Sequence, residues 1–77
     1  MMEERMAANG GFPKQLRQLR ERRGMNRKAL GECCGLSKNI IGKYERGECR
    51  PTVAVLERIA DFFGVTTDRL LGREKNF

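Results

Sequence analysis

A short basic stretch of the chain carries polar side chains at a spacing that could read DNA. On a helix whose Ile41 and Tyr44 face inward, Gly42 faces outward together with the side chains of Lys38, Asn39 and Lys43. In the major groove, guanine offers acceptors that suit a lysine, and adenine offers a donor–acceptor pair that suits an asparagine amide. These three side chains are therefore predicted to contact base edges, each worth about 1–3 kcal/mol of discrimination. The alternative is that they are ordinary exposed polar groups.

Further groups on both sides of that stretch could bind phosphate oxygens, which position a protein on DNA without reading its sequence. Backbone amides at helix starts would assist them. The predicted phosphate contacts are Arg27, Lys28, Ser37, Arg46 and Arg50. For Arg46 and Arg50, the alternative is a free surface charge.

The net charge of +6 is unevenly divided along the 77 residues. Residues 14–50 carry eleven Lys and Arg against four acids, a net charge of +7. Residues 51–77 carry four of each and sum to zero, and residues 1–13 contribute −1. This asymmetry indicates one basic face that meets a polyanion and a neutral part with another role.

The residue inventory argues against catalysis and metal binding. The chain has no histidine and a single serine, Ser37, and the local pattern suggests no carboxylate pair for acid–base chemistry. Three cysteines, Cys33, Cys34 and Cys49, are one ligand short of a usual zinc site, so they are expected to be reduced thiols. The protein is therefore predicted to be no enzyme and to hold no metal or cofactor.

The sequence also bears on cellular location. No run approaches the roughly 18 apolar residues of a membrane span. The first five residues, Met1 to Arg5, lack the basic and apolar regions of a secretory signal. We therefore expect a cytoplasmic protein that does not contact a membrane.

Five short segments have helical apolar spacing, and each is followed by a glycine suited to leaving a helix with positive φ. These glycines are Gly24, Gly35, Gly47, Gly64 and Gly72. The predicted helices span about Pro13–Arg23, from the cap Asn26 to Cys34, about Lys38–Arg46 after the cap Ser37, from the cap Thr52 to Phe63, and a short turn after the cap Thr66. No segment alternates in the manner of a strand, so the predicted class is all-α.

The fourth helix is predicted to pack a stripe into the core and to leave a second apolar edge outside. The stripe comprises Val53, Leu56, Ile59, Ala60 and Phe63. Val55 and Phe62 lie seven residues apart beside it and could line an interface between two copies, together with Leu71 or Phe77. The alternative is that Val55 and Phe62 form a partly buried edge of the core.

Two short helices joined by a glycine-containing turn in a basic region form the outline of a helix-turn-helix. Across residues 12–72 the chain resembles the Cro/CI-type (XRE-like) helix-turn-helix family, above all in KYERGECRPT (43–52) and IADFFGVTTDRLLG (59–72). The resemblance implies a compact, five-helix, lambda-repressor-like domain whose third helix reads double-stranded DNA. Residues 1–11 are predicted to be a flexible arm, and residues 73–77 a tail.

The resemblance also implies residue roles. Arg20 and Glu45 would form an ion pair between the first and third helices. The family often has a glutamine that clamps a phosphate where this chain has Arg27, and usually an alanine where this chain has Gly31. That glycine would weaken its helix by about 0.5–1 kcal/mol, although its small size lets the third helix approach.

The expected function is sequence-specific DNA binding as a small transcriptional regulator, specifically a repressor acting as a homodimer on a near-palindromic operator. No small-molecule effector is expected, because little chain remains after residue 72. A phage repressor, a restriction-modification controller and an antitoxin all fit the length. The competing class is a protein–protein adaptor that reuses the fold and leaves the basic face idle.

Overall fold

The computed structural model describes residues 11–73, and every regular element in that range is an α-helix. The helices are α1 (Phe12–Arg22), α2 (Arg27–Cys34), α3 (Lys38–Glu45), α4 (Val53–Phe63) and α5 (Thr67–Leu70). The predicted all-α, five-helix class is confirmed, with helix ends within about one residue of expectation. None of the helices in this range is long and apolar enough to cross a membrane. The predicted arm and tail lie almost wholly outside the described residues.

Four of the five helices begin at a polar residue that caps them. In each, a side-chain oxygen accepts a hydrogen bond of 2.8–3.2 Å from the amide three residues later. The capping residues are Asn26 for α2, Ser37 for α3, Thr52 for α4 and Thr66 for α5. Such a cap satisfies an amide that has no partner within the helix and contributes about 1 kcal/mol. All four predicted caps are confirmed.

One apolar core joins all five helices. Each helix supplies one side chain with no exposed surface: Leu16, Leu30, Ile41, Ile59 and Leu70. The buried shell around them comprises Phe12, Cys34, Tyr44, Ala60 and Phe63. The rings of Phe12 and Tyr44 meet edge to face, with centroids 5.5 Å apart, and so pack α1 against α3. This core holds α3 in place while its opposite side remains outside.

The start of α4 departs from expectation. Val53 was predicted to belong to the core stripe, but it is 71% exposed. The prediction is wrong because the core does not extend to the first residue of α4, whereas Leu56 is partly buried and Ile59, Ala60 and Phe63 are buried. Helical periodicity places Val53 on the same side as those residues, but within the described part of the chain its side chain stays exposed.

The turn between α2 and α3 lies directly against Gly31. The Leu36 amide donates to the Gly31 carbonyl at 2.7 Å. A Cβ at Gly31 would overlap the Leu36 carbonyl oxygen and lie 3.2 Å from the carbonyl carbons of Leu36 and Ser37. The glycine therefore permits a close approach that a side chain would prevent, and any helix propensity lost at this position is offset by packing.

We expect Gly31→Val to lower the free energy of unfolding by about 1–3 kcal/mol, because backbone atoms would have to shift. Glu32→Val places the same β-branched residue on the exposed side of α2 and should cost about 0.5 kcal/mol or less. Urea denaturation of both variants measures the difference. Equal losses in the two variants would show that the turn is not closely packed against Gly31.

Candidate nucleic-acid interface

The outer side of α3 carries the three side chains predicted to read bases. Lys38, Asn39 and Lys43 are all exposed. They line a shallow depression whose remaining walls are Arg27, Gly42 and Arg46. The structure therefore brings the predicted base-reading residues together with two of the predicted phosphate contacts on one surface.

Gly42 forms the floor of this depression. It was expected to face outward, but it is buried. A Cβ on Gly42 would lie 2.9 Å from Nη1 of Arg46 and 3.8 Å from Cδ of Arg27, so these two side chains cover it. Gly42 thus lies on the outer side of α3 as expected, but it is buried, because two long side chains fold over a residue that has none.

The depression is strongly cationic. Four of its six lining residues are Lys or Arg, and no carboxylate within residues 11–73 lines it. Neither Lys38 nor Lys43 makes a hydrogen bond or ion pair with a described residue. Positive charge gathered in this way attracts a polyanion, and the Asn39 amide adds both a donor and an acceptor.

A buried carboxylate supports the depression from within. Glu45, whose side chain is 1% exposed, accepts from Nε and Nη2 of Arg20 at 2.6 and 3.0 Å and from Nε of Arg27 at 3.2 Å. The hydrogen bond to Glu45 raises the pKa of Arg20 above its ordinary value. Arg20 also donates to the Met25 carbonyl at 2.9 Å. The pair implied by the resemblance is thus present, with Arg27 as a third member.

Arg46 is held by an acid that sequence reasoning overlooked. Its Nε and Nη2 donate to the Glu48 carboxylate at 2.7 and 3.2 Å, and both side chains are half-exposed. This hydrogen bond lowers the pKa of Glu48. The pair forms in the loop after α3, where no helical spacing could have predicted it. A phosphate approaching Arg46 would have to compete with Glu48.

The other predicted phosphate contacts surround α3. Lys28 and Arg50 are exposed and form no hydrogen bond or ion pair within the described part of the chain. Arg50 borders a separate groove beside Pro51. The Ser37 hydroxyl oxygen accepts from the Ile40 amide at 3.1 Å, which leaves its O–H free to donate.

The predicted dimer residues Val55 and Phe62 are both half-buried against their own core. The Arg23 guanidinium lies 5.4 Å from the Phe62 ring centroid and 5.3 Å from that of Phe63, and it donates to the Phe63 carbonyl at 3.2 Å. Part of the Phe62 ring is therefore covered within the chain. Phe77 lies outside the described residues.

Arg58, whose role was not predicted from the sequence, makes a hydrogen bond at the end of α2. Arg58 of α4 donates from Nη1 to the Cys34 carbonyl at 3.1 Å, beside Gly35, whose φ is +70°. Burial raises the pKa of the Cys34 thiol, whereas the neighbouring Cys33 is exposed. The turn before α3 is thus fixed by a residue from α4, at a sequence separation that local patterns do not cover.

Comparison with known proteins gives consistent matches. The family model described as a helix-turn-helix domain matches residues 14–71. The HTH-type transcriptional regulator AnsR of Bacillus subtilis is 37% identical over 60 residues, which are 78% of this chain and 52% of that protein. The chain thus spans about half the length of this curated relative.

Solved structures agree on the fold. The P22 c2 repressor in complex with a synthetic operator superposes with a TM-score of 0.77 at 25% identity, covering 82% of this chain and 96% of that one. Hydroxypropylphosphonic acid epoxidase from S. wedmorenis contains a similar region, with a TM-score of 0.73 at 30% identity, covering 82% of this chain and 34% of the epoxidase. One fold therefore occurs both in an operator-bound repressor and within an enzyme.

Proposed function

The chain belongs to the helix-turn-helix domain family, of the Cro/CI (XRE-like) type, and on that basis we propose that it binds double-stranded DNA sequence-specifically as a transcriptional repressor. It acts in the cytoplasm, with α3 in the major groove. The observation that carries the proposal is the exposed outer side of α3, where Lys38, Asn39 and Lys43 stand together in a cationic depression that no acid among residues 11–73 lines.

The chemistry of that surface favours DNA over a protein partner. A depression lined by two lysines, two arginines and an asparagine offers many donors, and lysine is a residue type that is depleted at protein interfaces. The same donors match the acceptors that base edges and phosphates present in the major groove. The epoxidase match is a reminder that fold alone does not assign function, so the proposal depends on these side chains.

We propose that two copies bind a near-palindromic operator. A single α3 of eight residues can contact only a few base pairs, and a two-fold pair of helices doubles that contact. The half-buried Val55 and Phe62 supply an apolar edge for the contact between copies. Half-sites should then repeat about one helical turn apart, roughly 10–10.5 base pairs or a multiple of that.

Selection from random duplexes tests the proposal. The wild-type chain should recover a two-fold motif. Lys38→Ala and Asn39→Ala should each lose preference at one position per half-site, by about 1–3 kcal/mol, and keep most non-specific affinity. Arg69→Ala, an exposed cation on α5, should leave the motif unchanged. If both α3 variants recover the wild-type motif, the base-reading assignments are wrong.

A further inference from the structure

We propose that Arg27 determines specificity by reading a guanine in the major groove rather than by clamping a phosphate. The inference rests on the proposed DNA binding and concerns the same surface. Arg27 was expected to contact phosphate because it begins α2. Its surroundings in the folded chain assign it a different partner.

The first argument is position. Arg27 is the first residue of α2, but its side chain reaches across to α3, where its Cδ lies 3.8 Å from the place a Gly42 Cβ would occupy. It lines the same depression as Lys38, Asn39 and Lys43. The adjacent Lys28 does not line this depression, although it begins the same helix. Arg27 therefore shares the surface of the base-reading residues.

The second argument is orientation. Nε of Arg27 donates to Glu45 at 3.2 Å, and Glu45 is itself held by Arg20 at 2.6 and 3.0 Å. A carboxylate that is 1% exposed and bound by a second arginine is a rigid anchor. It restrains the guanidinium of Arg27, whose side chain remains 44% exposed. Within residues 11–73, the Nη1 and Nη2 donors of Arg27 have no hydrogen-bond partner.

The third argument is chemical. A guanidinium has five N–H groups in a planar fork, so the bond from Nε leaves the four on the two terminal nitrogens. Two of these match O6 and N7 of guanine, which is the commonest specific contact in the major groove. A phosphate contact needs no fixed plane, and Lys28, which has no ion-pair partner among residues 11–73, is suited to it. A bidentate base contact requires a guanidinium plane that is fixed in orientation, and the hydrogen bond from Arg27 to Glu45 fixes it.

The test compares selections with the wild-type chain, Arg27→Lys and Arg27→Ala. Lysine at this position keeps the positive charge but lacks the planar fork of guanidinium N–H donors. We expect the wild-type motif to contain a guanine in each half-site whose preference falls about 5- to 150-fold in Arg27→Lys, while the other positions persist. Persistence of those positions also shows that the variant is folded and bound. Lys28→Ala should weaken all sequences equally.

Two results would overturn the inference. In the first, Arg27→Lys recovers the full wild-type motif, and Arg27→Ala weakens every sequence alike with a salt slope reduced by about 1 per copy, as expected of a phosphate contact. In the second, the wild-type chain selects no motif at all, and the proposed function then fails as well. Arg69→Lys is the matched control, because it changes an exposed arginine outside the depression.

Discussion

Raising the salt concentration from 50 to 200 mM is expected to weaken operator binding by about a thousand-fold. When Arg27 reads a base, the exposed Lys28, Arg46 and Arg50 remain as the proposed phosphate contacts, which gives three per chain and about six for two copies. Each neutralised phosphate contributes about −0.9 to the slope of log K against log salt, so six give about −5. At that slope, a fourfold rise in salt lowers the binding affinity by about three orders of magnitude.

Fluorescence anisotropy of a labelled operator duplex across this salt range gives the slope. Arg50→Ala removes one exposed cation per copy and should make the slope shallower by about 2 for two copies, whereas Arg69→Ala should leave it unchanged. A slope of about −3 for the wild-type chain would contradict binding as a pair. A slope near zero would contradict the phosphate assignments altogether and support the adaptor function.

Glu45→Ala is expected to lower the free energy of unfolding by about 3–5 kcal/mol. The substitution removes a carboxylate that is 1% exposed and leaves Arg20, whose side chain is 11% exposed, with the Met25 carbonyl at 2.9 Å and the Glu21 carboxylate at 4.0 Å as its remaining partners within residues 11–73. A guanidinium at that depth without a directly hydrogen-bonded carboxylate is costly, because water cannot solvate it fully. For a domain of this size the loss corresponds to a fall in Tm of about 12–40 °C.

Two controls separate the buried pair from charge in general. Glu21→Ala removes the partner of Arg17 in an exposed ion pair of 3.1 Å on α1, together with a longer contact of 4.0 Å to Arg20, and should cost about 0.5 kcal/mol or less. The double variant Arg20→Met, Glu45→Leu removes both buried charges and should recover much of the loss, because neither group remains unpaired. If Glu45→Ala and Glu21→Ala had the same Tm, Arg20 would have access to water that the structure does not show.

Local signals predicted the helices well. The caps Asn26, Ser37 and Thr52 each act on an amide three residues away, so the information for the helix start lies within one turn of the sequence. The same holds for the glycines that leave helices at positive φ, as at Gly35 and Gly64. These features are decided by backbone sterics and short-range hydrogen bonds, which a sequence displays directly.

Periodicity was less reliable where burial depends on a neighbour. It assigned Val53 to the core, although the core does not reach the first residue of α4 and Val53 is exposed. It placed Gly42 on the outer side of α3, but it could not predict that Arg27 and Arg46 lie across it. A helical pattern gives the direction in which a residue faces, but the packing of other elements decides what meets it.

The sequence by itself determined five helices, their caps, and a third helix with Lys38, Asn39 and Lys43 on its outer side. Only the tertiary structure decided which partners the arginines bind. Arg27 and Arg20 bind Glu45, which lies 18 and 25 residues away in sequence, and Arg23 binds the Phe63 carbonyl, which lies 40 residues away. Such contacts depend on how helices are placed in three dimensions, and an arginine can reach several acids or carbonyls. Packing of the shared core selects one arrangement, and with it the restrained guanidinium of Arg27.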